Sequence, residues 1–112
     1  MAEKTAAGYA VWLLEKRDYS EKELFKKISG KYSEKEAAEA VAKMLDFGYV
    51  DDRKYARRLA EKYFASYGKK RVSEELFKRG IDREIAAEAI EETYNREKTA
   101  EKISALIKIK TK

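Results

Sequence analysis

The sequence predicts an all-α fold in which two three-helix units are followed by a single helix. Three observations carry this. Capping signals followed by amphipathic runs recur along a chain that contains no Pro. No stretch alternates apolar and polar residues with period two, so nothing reads as a strand. The chain also repeats itself. Leu24-Phe25-Lys26-Lys27 returns as Leu76-Phe77-Lys78-Arg79, Ala37-Ala38-Glu39-Ala40-Val41 as Ala86-Ala87-Glu88-Ala89-Ile90, and Tyr9-Ala10 with Leu13 as Tyr55-Ala56 with Leu59. A helical unit repeated at this period stacks on its neighbour to bury its apolar face, and such stacks present extended surfaces to large partners.

Each element has its own signal. Tyr9, Trp12, Leu13 and Lys16 mark a first helix over roughly 5–17. Ser20-Glu21-Lys22-Glu23 is a capping box opening a second over 20–30, and Ser33-Glu34-Lys35-Glu36 opens a third that runs to Phe47. Gly48 is placed to end it in the left-handed conformation. Asp51 or Asp52 caps a fourth helix that runs to Tyr67 and ends at Gly68. A fifth covers 70–79 and stops at Gly80. Asp82 caps a sixth over 83–94, and a seventh is expected from Arg96 to Ile109. The expected units are therefore 1–50, 51–95 and a lone helix in 96–112. Without a linker rich in Gly, Ser or Pro, they should pack as one body.

Composition narrows the chemistry. The 112 residues hold neither Cys nor His, which removes thiolate metal sites, disulfides and the commonest general base. No nucleophile–base pair can be assembled unless Lys or a carboxylate serves, and no Gly-x-x-x-x-Gly-Lys loop is present. Asp46-Phe47-Gly48 spells the kinase magnesium triplet but has none of its companion motifs. No enzyme, metal or cofactor is expected. No run of about 18 apolar residues suggests a membrane span, and no secretory signal opens the chain, so the expected location is the cytoplasm.

Charge is unevenly placed. The net charge is +5, and residues 1–50 are balanced. Between 53 and 71, however, stand Arg53, Lys54, Arg57, Arg58, Lys62, Lys69, Lys70 and Arg71, against Glu61 alone. On a helix, Tyr55, Ala56, Leu59, Ala60, Tyr63, Phe64 and Tyr67 form the core side, while Arg53, Lys54, Arg57, Arg58 and Lys62 form a basic stripe. Arg58 and Lys62 are like charges at i, i+4. Lys69, Lys70 and Arg71 sit where the fifth helix begins, and each opposes the helix dipole by roughly 0.3–1 kcal/mol. Glu74 and Glu75, four residues after Lys70 and Arg71, offset part of this. Cations placed at a cost to their own helices suggest an anionic partner, and nucleic acid is the common one. The plainer alternative is a solvated face. The following stretch is acidic: Glu84, Glu88, Glu91 and Glu92 share one side of the sixth helix, either as a solubilising face or as a dock for a basic protein. Tyr9, Tyr55, Phe25 and Phe77 match between copies and are read as core, as is Trp12. Tyr19, Tyr32 and Tyr49 suit the staple position before a helix.

Three segments resemble one family. Arg17-Asp18-Tyr19-Ser20-Glu21-Lys22-Glu23-Leu24 resembles the first-repeat motif of RecX proteins, regulators of the RecA recombinase. Phe47-Gly48-Tyr49-Val50-Asp51-Asp52-Arg53-Lys54-Tyr55-Ala56 resembles their inter-repeat segment. Tyr67-Gly68-Lys69-Lys70-Arg71-Val72-Ser73-Glu74-Glu75-Leu76 with Lys78-Arg79-Gly80-Ile81 resembles the second-repeat motif. The resemblance implies tandem three-helix repeats in an elongated, curved array. It also implies a non-enzymatic protein that binds the RecA–DNA filament, restrains ATP hydrolysis and strand exchange, and contacts filament or DNA through the basic second repeat. Separately, a monomer is expected. Two positions depart from the pattern. Lys69 stands where a proline often follows the glycine, and one helix stands where the family has a complete third repeat.

Overall fold

Six helices make up the computed structural model, which describes the backbone of residues 5–110 and the side chains of residues 5–96. They are α1 (Ala6–Lys16), α2 (Glu21–Ser29), α3 (Glu34–Asp46), α4 (Asp52–Phe64), α5 (Lys69–Lys78) and α6 (Arg83–Lys110). No strand occurs among the described residues, and none of the described helices is long and apolar enough to cross a membrane.

The helix boundaries follow local chemistry. Ser20 and Ser33 each accept a hydrogen bond from the amide three residues on, while Glu23 and Glu36 accept from the serine amides, completing both capping boxes. Asp51 accepts from the amides of Arg53 and Lys54 and so caps α4. Gly48 (φ 76°) and Gly80 (φ 80°) take the left-handed conformation. After each, the chain closes in the same way: the amides of Gly48 and Tyr49 donate to the carbonyls of Leu45 and Met44, and those of Gly80 and Ile81 to Phe77 and Leu76. This paired Schellman pattern satisfies carbonyls that a helix end leaves open.

Two departures from the sequence reading concern boundaries. α4 does not run to Tyr67 and end at Gly68 but stops at Phe64. Gly68, with a φ of −84°, stands as the N-cap of α5 without a side-chain cap. The expected break between a sixth and a seventh helix is also absent, because α6 continues through Asn95 to Lys110. No Gly or Pro interrupts this stretch, and Arg96 pairs with Glu61 of α4 at 3.0 Å, holding α6 against its neighbour across the expected break.

Packing repeats with the sequence. α1 and α2 lie on α3, and α4 and α5 lie on α6. One core gathers Ala10, Leu13, Leu24, Ala37, Ala40 and Val41, and a second gathers their equivalents Ala56, Leu59, Leu76, Ala86, Ala89 and Ile90. Each fully buried Leu contributes about 1.5–3 kcal/mol relative to exposure. The body measures 63 × 26 × 21 Å with a radius of gyration of 18.0 Å, against about 13 Å for a compact domain of this length. The architecture is an elongated all-α array of three-helix repeats.

Polar groups join the repeats. The buried Ser20 hydroxyl, besides capping α2, donates to the carbonyl of Arg79 at the end of α5 (2.5 Å). The Glu21 amide donates to Asp52 (2.9 Å), Lys22 reaches Asp82 (3.5 Å), and Arg17 and Arg79 both donate to the Tyr55 hydroxyl. Gly80 closes this joint, since a Cβ there would lie 3.0 Å from the Lys22 Cβ and 3.3 Å from the Ser20 hydroxyl.

Several aromatics lie outside the cores. Phe77 is 61% exposed, unlike the half-buried Phe25. Its repeat lacks the apolar wall around Phe25, because Glu91 stands where α3 has Ala42. Trp12 is also exposed, stacked on Tyr9 and covered by Lys16. Tyr49 projects beside Phe47, whereas Tyr19 and Tyr55 are buried.

Candidate nucleic-acid interface

The eight predicted basic residues are exposed, but they do not form one free stripe. α4 carries Arg53, Arg57 and Glu61 four residues apart, so their side chains line one edge of the helix. α6 presents Glu88, Glu92 and Arg96 with the same spacing. The two sets meet rung for rung: Arg53 with Glu88, Arg57 with Glu92 (3.9 Å) and Glu61 with Arg96 (3.0 Å). Lys69, at the start of α5, extends the group by pairing with Glu91 (2.9 Å) and covering the Tyr94 ring. Much of the acidic side of α6 thus supplies counterions to the cations of α4 and α5 while staying exposed.

Arg58 points the other way, toward the joint, and holds Asp18 of the α1–α2 turn at 2.6 Å. Lys54 shares a small polar cleft with it, beside Asp51 and Tyr49. Arg71 pairs with Glu75 at i, i+4 (3.1 Å), as the spacing predicts, and lies over the Tyr67 ring. That bond, with help from Lys78, holds the Glu75 carboxyl below its ordinary value. Lys54, Lys62 and Lys70 make no ion pair among the described residues, although Lys62 lies near the Tyr63 ring.

The ring of counterions was missed by reading one helix at a time. A signal existed: the charge signs at 53, 57 and 61 are the reverse of those at 88, 92 and 96. The partner of Arg58, forty residues away, left no comparable trace. The cations of these pairs are all exposed, and an exposed ion pair holds its cation weakly enough for a phosphate to compete with the carboxylate. Chemically the face can bind anions. Among the described residues, no group of three or more Asp or Glu is placed to hold a metal ion.

Fold and face together define a helical-repeat protein whose second repeat clusters cations between residues 53 and 71. A family profile described as "RecX, second three-helix domain" matches residues 51–90. A protein of Caldanaerobacter subterraneus named "Regulatory protein RecX" is 36% identical over 109 residues, covering 96% of this chain and 55% of that protein. Proteins of the same name from Thermus thermophilus and Stenotrophomonas maltophilia are 34% and 37% identical over 87 and 91 residues, covering 78% and 80% of this chain and 61% and 56% of theirs. Over these residues this chain is similar to proteins of the RecX family. It spans between half and two thirds of the length of these relatives.

Proposed function

We propose that this chain is a regulator of RecA that acts by binding the RecA–DNA filament, restraining ATP hydrolysis and strand exchange without chemistry of its own. The observation that carries the reading is the relationship to proteins named "Regulatory protein RecX", which extends over 96% of the chain. The elongated 63 Å body supports it, because a long array suits a long partner better than a small ligand. In this reading the chain works in the cytoplasm as a monomer. Arg53, Lys54, Arg57, Arg58, Lys62, Lys69, Lys70 and Arg71 contact filament or DNA. Lys54, Lys62 and Lys70 engage first, and the ion-paired cations follow as phosphate displaces their carboxylate partners.

The test adds the purified chain to RecA, ATP and single-stranded DNA. The expected outcome is slower ATP hydrolysis and co-sedimentation of the chain with filaments. No effect on hydrolysis together with no co-sedimentation sinks the reading. Reversing Arg57, Arg58, Lys70 and Arg71 to Glu should abolish binding to naked DNA, and binding that survives the reversal removes these residues from the interface.

A further inference from the structure

On the α3 side of the joint lies a groove of about 390 Å³. Its floor is apolar, made by Phe25 of α2 with Ala38, Val41, Ala42 and Leu45 of α3. Ala38, Ala42 and Leu45 are exposed and spaced i, i+4, i+7, so they form one stripe along the helix. Leu45 keeps 40% of its surface in solvent and extends the exposed apolar stripe.

The rim is acidic. Glu21, Asp52 and Asp82 stand around the opening, and the single cation in the lining, Lys22, is already bonded to Asp82. Burial raises the Asp52 carboxyl from its ordinary value, and Glu21, Asp82 and Asp51 push it the same way against the hydrogen bond from the Glu21 amide. With Lys22 taken by Asp82, Glu21 and Asp52 leave the lining with more negative than positive charge over an apolar floor.

The groove is not a by-product of the repeat. In the second copy Phe77 replaces Phe25 and Ala87 replaces Ala38, but Glu91 stands for Ala42 and Tyr94 for Leu45. Glu91 is engaged by Lys69. What remains there is a cleft of about 210 Å³ with Arg83 at its edge. The same scaffold carries a smaller cleft with a cation in its lining in one repeat and a larger, apolar and acidic groove in the other.

We propose that this groove docks a protein segment carrying a Lys or Arg beside a large aliphatic side chain. The aliphatic group lies on the α3 stripe, and the cation sits among Glu21, Asp52 and Asp82. The assignment rests on the reading given under Proposed function and deepens it. The first repeat takes the protein part of the filament through this groove, while the second repeat takes phosphate.

The test measures binding of the full chain to RecA filaments and, separately, to naked single-stranded DNA. Ala42→Arg places a cation on the stripe at an exposed helical position, where Arg is a good helix former. It should weaken filament binding about tenfold or more, with unchanged DNA binding and an unchanged circular-dichroism melt. Ala42→Glu, similar in bulk but of favourable charge, should weaken it clearly less. If the unmodified chain does not bind filaments, both readings fail. If it binds and Ala42→Arg binds equally well, the groove assignment alone fails. Equal losses from Ala42→Arg and Ala42→Glu remove the cationic occupant. A dimer of the unmodified chain that Ala42→Arg dissolves assigns the groove to a second copy and overturns the proposal.

Discussion

The two repeats share a layout and differ in how their first and third helices meet. In the second, Arg53 and Arg57 of α4 face Glu88 and Glu92 of α6. The equivalent positions in the first are Ala7 and Val11, both packed against the core. The first repeat is capped by two full capping boxes, whereas α5 of the second begins at an uncapped Gly68 followed by three cations. The first also buries Met44 where the second buries Thr93, whose hydroxyl has no hydrogen-bond partner among the described residues. The fold needs only the small set of apolar positions that both copies keep. Around that set, one copy has been tuned for helix stability and the other carries charge at some cost to itself.

The comparison can be broken most forcefully in the cores. Leu24 and Leu76 are equivalent and fully buried. Leu24→Ala and Leu76→Ala should each cost about 2–5 kcal/mol in denaturant unfolding. Because the joint ties the repeats, both variants should melt in a single transition. Two separate transitions would show that the copies are independent.

The turn glycines give the next largest effect. Gly48 and Gly80 are both left-handed, so Ala at either costs about 1–2 kcal/mol. A Cβ at Gly48 meets nothing within 4 Å, whereas at Gly80 it strikes Lys22 and Ser20. Gly80→Ala should therefore be the more destabilising of the two by thermal melt, and equal losses would remove Gly80 from the joint.

Two smaller changes repair the second repeat toward the first. Thr93→Val removes an unsatisfied buried hydroxyl at little change in shape and should stabilise the chain by about 1 kcal/mol. Gly68→Ser supplies α5 with the cap it lacks, at a φ that Ser adopts without strain, and should add roughly a few tenths of a kcal/mol. A loss of stability from either would mean that the residue serves a contact the first repeat does not have.

Much of the fold was legible in the sequence because it depends on short-range chemistry. Ser20, Ser33 and Asp51 cap within three residues, and Gly48 and Gly80 turn the chain locally. The continuity of α6 was not legible, because Asn95 is a weak helix former and the contact of Arg96 with α4 lies outside any local window. The basic residues were identified, but their state was not. Periodicity assigns Arg53 and Arg57 to a polar side without saying that another polar side lies against it. The exposure of Phe77 was not legible either, because the matching Phe25 is half-buried by residues of a different helix. The groove on α3 is assembled from four separate elements, and no single window of sequence contains it.

Ser20 ties these observations together. One hydroxyl caps the start of α2 and also binds the last carbonyl of the α5 turn. A helix start that is locally positive therefore abuts a helix end that is locally negative, and the two share an atom. Fraying of α5 deprives α2 of its cap orientation, and opening of α2 leaves the half-buried Arg79 carbonyl without this donor. Local openings of the two halves are therefore coupled, and amide protons at Glu23 and Ile81 should exchange with solvent at matched rates although they lie in different repeats.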